Sequence, residues 1–315
     1  MTAHPERAER TFPRAATRLV SAPVRVGVLF PQTEIGTDPV AVRDFAQAAE
    51  GLGFAHLLTF EHVLGADPAV HEGWDGYYTH EAQFHEPFVL FGYLAGLTTA
   101  LEFGTVVVVL PQRQTALVAK QAAEVDLLSG GRFRLGIGVG WNAEEYAGLG
   151  EDFSTRGARS EEQMALLRAL WTKESVTFDG RWDRLRGVGI SPLPRQRPIP
   201  IWIGGTAPVV LERVGRLADG WFPMVQSPAR LQRGLERVHA AAREAGRSPE
   251  DIGIDVLVWP RSQDEDTWRT ELAKWTESGL VTHVTFVTLE TGFADPQEHI
   301  DAIHRFHRIA DDLGV

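Results

Sequence analysis

The sequence predicts an α/β protein folded as a single (β/α)8 barrel. From residue 24 onward, eight short β-rich runs alternate with helical stretches, which is the pattern of βα units around a parallel sheet. The run at 105–110 is apolar without alternation, as expected for a strand covered on both faces. A chain of 315 residues also matches the usual size of such a barrel with insertions. A doubly wound open sheet is the alternative architecture.

The strands and helices can be placed in order along the chain. The predicted strands are 24–30, 56–60, 103–110, 133–139, 199–203, 220–224, 252–258 and 282–287. Helices are predicted to begin where a cap-like residue precedes proline, since the fixed φ and missing N–H of proline suit the first helical turn. These starts follow Asp38, Glu86, Ser227 and Asp295, with a weaker one after Ala207. Helix ends are predicted at glycines that tolerate a left-handed conformation, namely Gly51, Gly130, Gly131, Gly246 and Gly279.

The chain contains two insertions and a terminal extension in addition to the eight βα units of a minimal barrel. The insertions, 63–86 and 141–198, follow the second and fourth strands. Because barrel enzymes build their sites at strand carboxyl ends, we expect both to form a lid or pocket wall. Within the second, 176–182 is predicted to be a β-hairpin. Residues 1–23 lack an apolar core segment and are predicted to be a flexible extension, which leaves 24–315 as one domain.

Composition excludes several classes of protein. The formal net charge of −11 argues against a protein whose main task is binding nucleic acid. No apolar run reaches the roughly 18 to 20 residues needed to cross a bilayer, so no membrane partner is expected. The chain has no cysteine, which excludes disulfides, a thiolate nucleophile and iron–sulfur clusters. Without a signal-peptide pattern, we expect a cytoplasmic protein.

The second strand ends in a carboxylate beside an imidazole, Glu61 and His62. An imidazole can donate or accept a proton near neutral pH, so His62 is the candidate catalytic acid or base and Glu61 the residue that orients or tunes it. The position at a strand carboxyl end favours this interpretation. The alternative is a histidine that serves only packing or hydration.

Three alternating glycines lie on the fourth strand, at Gly136, Gly138 and Gly140, followed by Trp141 and Asn142. Their missing side chains share one face of the strand, so a planar ring could approach the backbone there. The alternative is that the glycines relieve crowding inside a narrow barrel. The pattern lacks the third glycine and the first-strand position of a dinucleotide fingerprint, which argues against a Rossmann site.

The fifth strand ends in a turn at the start of a helix, formed by Gly204, Gly205, Thr206 and Ala207. Its backbone N–H groups, its hydroxyl and the positive end of the helix dipole suit a phosphate. The alternative is a plain strand-to-helix turn. Basic residues that could meet an anionic group nearby, or stay solvated, are Arg113, Arg156 and Arg159.

The first insertion interleaves aromatic residues with histidine–glutamate pairs. We expect the aromatic residues to close an apolar substrate pocket, and the candidates are Trp74, Tyr77 and Tyr78. The histidines lack the close spacing of a metal-binding motif, so no metal site is predicted. The alternative of another class is a non-redox barrel hydrolase or lyase with a metal at His62 and His71.

In their order along the chain, these motifs resemble the bacterial luciferase-like flavin and deazaflavin oxidoreductases. The motifs are Glu-His after the second strand, G-x-G-x-G-Trp-Asn-x-x-Glu-Tyr on the fourth, and Ile-Trp-Ile-Gly-Gly-Thr followed by Ala-Asp-Gly-Trp-Phe-Pro. More narrowly, the chain resembles the branch that uses coenzyme F420. One departure matters, since many members of that branch have Asp at the position of Glu61, and Glu-His also occurs among luciferase-type flavin monooxygenases.

The resemblance implies a cofactor ring over the ends of the third and fourth strands. It also implies a non-prolyl cis peptide beneath the ring, at Val106–Val107 or Val107–Val108, which makes Val106 and Val107 cofactor-binding residues. The residues that match the polar edge of the ring are Gly138, Gly140, Trp141 and Asn142. The residues that match the phosphate turn are Gly204, Gly205, Thr206 and Ala207.

The predicted function is therefore that of an F420-dependent oxidoreductase that moves a hydride between the coenzyme and a small organic substrate. The first alternative is a two-component monooxygenase that uses reduced FMN and oxygen, and another is a flavin-binding protein without turnover. The resemblance further implies a homodimer and a separate enzyme that reduces the cofactor.

Overall fold

A computed structural model of the chain describes residues 23–315. Its strands are β1 Arg25–Leu29, β2 His56–Thr59, β3 Glu102–Thr105, β4 Val108–Val109, β5 Phe133–Gly138, β6 Val176–Asp179, β7 Arg184–Val188, β8 Ile201–Gly204, β9 Gly220–Phe222, β10 Gly253–Val258 and β11 His283–Phe286. The parallel strands pair in the order β1, β2, β3, β5, β8, β9, β10, β11 and back to β1. The sheet therefore closes, and the predicted (β/α)8 barrel is confirmed.

The helices surround this barrel. They are α1 Pro39–Gly51, α2 Pro87–Ala95, α3 Thr115–Leu128, α4 Ala143–Gly148, α5 Arg156–Thr172, α6 Pro208–Leu217, α7 Pro228–Glu244, α8 Glu265–Thr276 and α9 Pro296–Leu313. The four starts predicted from a cap followed by proline are confirmed, because in each the cap side chain accepts a backbone N–H of the first turn. The predicted end of α1 at Gly51 is confirmed, but the left-handed conformation expected there is found at Gly53, with a φ of 83°.

The third predicted strand is interrupted rather than continuous. The Thr105 hydroxyl donates to the Gly136 carbonyl at 2.6 Å and accepts from the Gly136 N–H at 2.9 Å, so a side chain replaces the backbone ladder at this point. The peptide bond that follows, Val106–Val107, is cis, at one of the two expected positions. Pairing with β5 resumes at β4.

Both insertions lie where the sequence places them. Residues 63–86 form an irregular loop after β2, held by a bridge between Ala66 and Thr79. The second insertion contains α4, α5 and the antiparallel hairpin of β6 and β7, which confirms the predicted hairpin. Glu162 on α5 accepts three backbone N–H groups of this hairpin and fastens it to the barrel wall.

The interior of the barrel is filled by a polar network near the amino ends of the strands and by apolar side chains near their carboxyl ends. Near the amino ends of the strands, Arg134, Asp255 and Thr285 form a buried hydrogen-bonded network. Towards the carboxyl ends, buried apolar side chains pack beneath a partly exposed floor made of Phe60, Val106, Val107, Leu257 and Trp259. The mouth of the barrel is thus an apolar surface and not an open channel.

The predicted flexible extension, 1–23, lies outside the described residues apart from Pro23. Within residues 23–315, no helix combines the length and the apolar character needed to cross a membrane.

Candidate functional site

His62 is held by Glu145, a residue 83 positions later in the chain. His62 Nδ1 lies 3.1 Å from Glu145 Oε2, and only a tenth of the His62 side chain is exposed. An ionised carboxylate can only accept hydrogen bonds, so Nδ1 carries the proton in this contact. Nε2 of the neutral ring is then an acceptor, and it has no hydrogen-bond partner among residues 23–315.

Glu145 itself is fixed by several donors. Its Oε1 accepts the backbone N–H groups of Val63 at 2.6 Å and Leu64 at 3.1 Å, and Gln112 Nε2 donates to Oε2 at 3.2 Å. Burial raises the pKa of Glu145, but the hydrogen bonds from His62 and from these amides outweigh it and lower the pKa overall. The carboxylate is therefore charged at neutral pH and holds the imidazole in one orientation.

Asn142 positions this carboxylate through the start of α4. It is the N-cap of the helix, and its Oδ1 accepts the N–H groups of Glu144 and Glu145. The cap fixes the first turn of α4 and therefore the direction of the Glu145 side chain. Asn142 is buried and also lines the cavity beside His62, so it lies in the predicted site.

The expectation that Glu61 orients His62 is wrong. Glu61 is buried and turned away, with Oε2 accepting the Val109 N–H at 2.8 Å and Oε1 accepting Arg113 Nε at 2.7 Å. The physical reason is that adjacent residues in extended backbone point to opposite sides. Burial raises the pKa of Glu61, with the charge of Arg113 opposing this effect. Glu61 thus fastens the chain after β4 and does not contact the imidazole.

A cavity of about 120 Å³ lies beside His62, between the 63–86 loop and the end of β5. Aromatic rings surround the imidazole, with centroids 5.0 Å away at Phe84 and 5.4 Å away at both Tyr78 and Trp141. Burial raises the pKa of Tyr78 to about 12, so its phenol is neutral. The first insertion therefore forms a wall of the pocket, as the sequence predicts, whereas the β6–β7 hairpin does not line this cavity.

The three predicted substrate-pocket residues lie together at this wall but differ in position. Tyr78 lines the cavity and is half-buried. Trp74 packs against Trp141 and donates from Nε1 to the Tyr78 carbonyl at 3.2 Å. Tyr77 is 85% exposed and meets the Trp141 ring edge-on at 5.6 Å. Exposed Val63 and Leu64 continue the same apolar rim.

The space beside the glycines of β5 is occupied by other atoms of the protein. A Cβ atom at Gly136 would lie 1.7 Å from the Thr105 carbonyl oxygen, and one at Gly138 would lie 2.5 Å from Val107 Cγ2. A Cβ atom at Gly204 would lie 2.9 Å from Val107 Cγ1. The expectation of bare backbone open to a ring is therefore corrected: Val107 fills that space, and an apolar side chain forms the floor.

The turn after β8 lies at the same rim of the barrel, at the start of α6. Gly205 has a φ of 124°. Its carbonyl accepts a hydrogen bond from Trp221 Nε1–H at 2.8 Å, which holds the turn in place. Thr206 is exposed, and Ala207 provides no side-chain cap for the N–H groups of α6. Within the described part of the chain, the N–H groups of Thr206 and Ala207 have no partner, whereas that of Gly205 donates to the Phe222 carbonyl, so part of the turn suits an anion.

The three arginines that the sequence places among the candidates for an anionic group all have protein partners. Arg113 pairs with Glu61 and Glu86, Arg159 pairs with Glu151, and Arg156 stacks on Phe153 at 3.7 Å. In residues 23–315, no group of three or more histidines or carboxylates is arranged to hold a metal ion. His71 lies 3.6 Å from Glu144, and His62 is engaged by Glu145.

A family model for luciferase-like monooxygenases matches residues 19–311. The chain belongs to this family. It is therefore a luciferase-like oxidoreductase. The sequence-based resemblance to the family is confirmed, and the narrower choice between the two cofactors stays a prediction.

Two mycobacterial relatives resemble this luciferase-like chain in sequence. An uncharacterized protein of Mycobacterium tuberculosis is 35% identical over 234 residues, covering 72% of this chain and 81% of the relative. The phthiodiolone/phenolphthiodiolone dimycocerosates ketoreductase of the same species is 34% identical over 206 residues. That match covers 62% of this chain and 54% of the ketoreductase, so it spans about half of the relative's length.

Solved structures share the luciferase-like fold at low sequence identity. The monooxygenase RslO1 from Streptomyces bottropensis superposes with a TM-score of 0.77 at 18% identity, covering 93% of this chain and all of that one. An F420-dependent secondary alcohol dehydrogenase, solved with an F420-acetone adduct, gives 0.75 at 18% identity, covering 91% and 98%. At these identities the likeness concerns the fold.

Glu145 is the site residue that the sequence does not single out. It belongs to the Trp-Asn-x-x-Glu-Tyr motif, but the motif alone assigns it no role. The signal that could have found it is the capping pattern, because Asn142 as N-cap places the residue three positions later in the first helical turn, beside the strand ends.

Proposed function

We propose that this protein is an F420-dependent oxidoreductase that interconverts an alcohol and a carbonyl compound. The observation that carries the proposal is His62 held by an ionised Glu145 beside a cavity at the strand carboxyl ends. A bound deazaflavin supplies or accepts a hydride at a ring carbon, and the substrate oxygen then needs a proton partner. In this proposal His62 is that partner.

The residues at the barrel mouth fit a flat ring with a phosphate tail. Val106 and Val107 provide an apolar, partly exposed floor, and Trp141 and Asn142 line the cavity beside it. In the turn of Gly204, Gly205, Thr206 and Ala207, the Gly205 N–H donates to the Phe222 carbonyl at 3.4 Å, and the N–H groups of Thr206 and Ala207 have no partner within residues 23–315. These residues would hold the group while the aromatic loop around Tyr78 and Phe84 excludes water from His62.

His62 can serve both directions of the reaction. With Nδ1 bonded to Glu145, neutral Nε2 can take a proton from an alcohol, and the protonated ring can return it to a carbonyl oxygen. Glu145 stabilises the imidazolium that forms in the first case. The relatives support this chemical class, since one is named a ketoreductase and one fold neighbour an F420-dependent secondary alcohol dehydrogenase. A homodimer and a separate cofactor-reducing enzyme complete the proposal.

A cofactor titration tests the proposal. Purified protein is mixed with oxidised F420 and, separately, with FMN, and binding is followed by the fluorescence of each cofactor. The expected result is micromolar or tighter binding of F420, about tenfold or more stronger than that of FMN. Binding of FMN alone would instead support the two-component monooxygenase, which the family name and the fold of RslO1 favour.

A further inference from the structure

The amide of Asn142 is fixed in one orientation, and its N–H donors are left over. Oδ1 accepts the backbone N–H groups of Glu144 at 3.1 Å and Glu145 at 3.2 Å. A flipped amide would turn Nδ2 towards these two donors, so Nδ2 must lie on the other side. Nδ2 makes no hydrogen bond with any other residue in the described part of the chain. Its two donors are therefore available to a ligand.

Helix capping alone does not require an amide at this position. In residues 23–315, every other N-cap side chain that accepts a backbone N–H belongs to an aspartate, a glutamate or a serine. These caps are Asp38, Glu86, Asp152, Ser227, Ser248, Asp264 and Asp295. Aspartate and serine cap a helix about as well as asparagine does. Asn142 is the single asparagine of the chain, and what it adds to a cap is a pair of N–H donors.

Asn142 is also the most deeply buried polar residue that lines the cavity beside His62. It is 3% exposed, whereas Thr79 is half-buried and His80 is exposed. Asn142 and His62 are both fastened to Glu145, the first through the Glu145 backbone N–H and the second through its carboxylate. A donor that is held in place and shielded from water stabilises developing charge without reorganising. The cavity thus combines an acid or base with a fixed hydrogen-bond donor.

Reduction of a carbonyl compound creates the charge that such a donor stabilises. As a hydride adds to the carbonyl carbon, the π electron pair of the C=O bond moves to the oxygen. The imidazolium of His62 then gives its proton to that oxygen and becomes neutral. Both electrons and one hydrogen thus come from the reduced coenzyme of the proposed function, and the second hydrogen comes from His62. A hydrogen bond from Nδ2 stabilises the negative oxygen and transfers no proton.

We propose that Asn142 is a second catalytic residue, whose Nδ2–H donates a hydrogen bond to the substrate oxygen that His62 protonates. This inference rests on the proposed function and deepens it. It gives the Asn142 side chain a role towards the substrate, in addition to its role as the cap of α4.

The variant Asn142→Ser tests the donor, because serine keeps an uncharged cap and removes the amide. The Tm is expected to stay unaltered. The kcat for ketone reduction should fall about 100-fold, with KM and the affinity for F420 within about twofold, because the charge on oxygen develops only in the transition state. Full activity would overturn the inference. So would an equal loss of F420 affinity, which would assign the amide to the cofactor.

Asp152→Ser is the matched control. Asp152 caps the next helical turn, Phe153–Thr155, but it is exposed and does not line the cavity. The same exchange of a cap for serine is expected to leave kcat within about twofold of the unaltered protein. A loss in Asp152→Ser equal to that in Asn142→Ser would show that the cap, and not the donor, matters, and it would overturn the inference.

A measurement without coenzyme separates this inference from the proposed function. Protein labelled with ¹⁵N in asparagine alone gives one side-chain NH₂ signal in an NMR spectrum, because the chain has one asparagine. The ligands are 2-butanone and 2-methyl-1-butene, which has a CH₂ group in place of the oxygen. A downfield shift of an Nδ2 proton with the ketone and not with the alkene supports the inference, even if the protein reduces no ketone and the proposed function fails. No shift with the ketone overturns it, and this measurement decides if Asn142→Ser does not fold.

Discussion

Glu145 accepts a hydrogen bond from His62 Nδ1 at 3.1 Å, while the neighbouring acid in sequence, Glu61, bonds Arg113 and the Val109 backbone. The two carboxylates therefore have different roles. One orients the imidazole, and the other holds the segment that follows the interrupted third strand. This division separates their predicted effects on activity and on stability.

Replacing Glu145 with glutamine is expected to lower kcat about 10- to 100-fold with little change in KM. The amide still fills the space but no longer stabilises a protonated imidazole, so the pH dependence of kcat should also change shape. Steady-state kinetics from pH 5 to 9 measure both effects. Glu144→Gln is the control, since Glu144 is exposed and lies 3.6 Å from His71. A matching loss in Glu144→Gln would show that helix charge, and not the His62 contact, matters.

Replacing Glu61 with glutamine is expected to act on stability. It removes the charge that compensates a largely buried Arg113, which retains Glu86 at 3.0 Å. The free energy of unfolding should fall by about 2 to 4 kcal/mol, as when one partner of a buried pair is removed. Urea denaturation measures this change. If stability is unaltered and the pH profile of kcat shifts instead, Glu61 acts on the chemistry and its structural role is refuted.

Gly138→Ala is expected to weaken cofactor binding about tenfold, because the added methyl would lie 2.5 Å from Val107 Cγ2 and displace the floor of the site. The double variant with Val107→Ala should recover much of the affinity, since the space is then vacated. Fluorescence titration measures both. Gly92→Ala is the control, because nothing lies within 4 Å of a Cβ atom there. If Val107→Ala does not restore binding, the loss caused by Gly138→Ala does not arise from displacement of Val107.

The fold should lose stability as the pH falls below about 6.5. Burial lowers the pKa of His299 to about 4, so the unfolded chain binds more protons than the fold between these values. Its contribution is fully present above about pH 6.5 and is lost as the pH approaches 4, with a magnitude of about 3 kcal/mol at most. Buried His56 and His283, whose pKa values burial also lowers, act in the same direction.

The variant His299→Gln is therefore expected to flatten the dependence of Tm on pH between 6.5 and 4. His304→Gln, on the exposed side of the same helix, should leave that dependence unaltered. Thermal unfolding in buffers across this range compares the two variants. Parallel curves for both variants and the unaltered protein would contradict the assignment to His299.

Local signals predicted the fold well. The caps at Asp38, Glu86, Ser227 and Asp295 satisfy helix N-termini by contacts within three residues, and most barrel strands are short runs rich in apolar residues. Both features can therefore be recognised without knowing the tertiary structure. The interruption after Thr105 arises from its hydroxyl bonding Gly136, a contact across the sheet. The continuous run of valines in the sequence does not predict this interruption of the strand.

The candidate site could be predicted only in its parts. His62 and the turn at Gly204 stand at strand ends, where barrel topology brings them to one rim. The partner of His62 could not be chosen between Glu61 and Glu145, because that depends on how α4 approaches the loop after β2.

Transfer of deuterium in the absence of oxygen tests the hydride assignment directly. Reduced F420 carrying deuterium at the reacting ring carbon is mixed with the protein and a ketone under argon, and the product is examined by mass spectrometry. We predict an alcohol with one deuterium on the former carbonyl carbon, formed at least about 100-fold more slowly by His62→Asn. Reaction that begins only when oxygen is admitted, with reduced FMN and not with F420, would contradict the assignment.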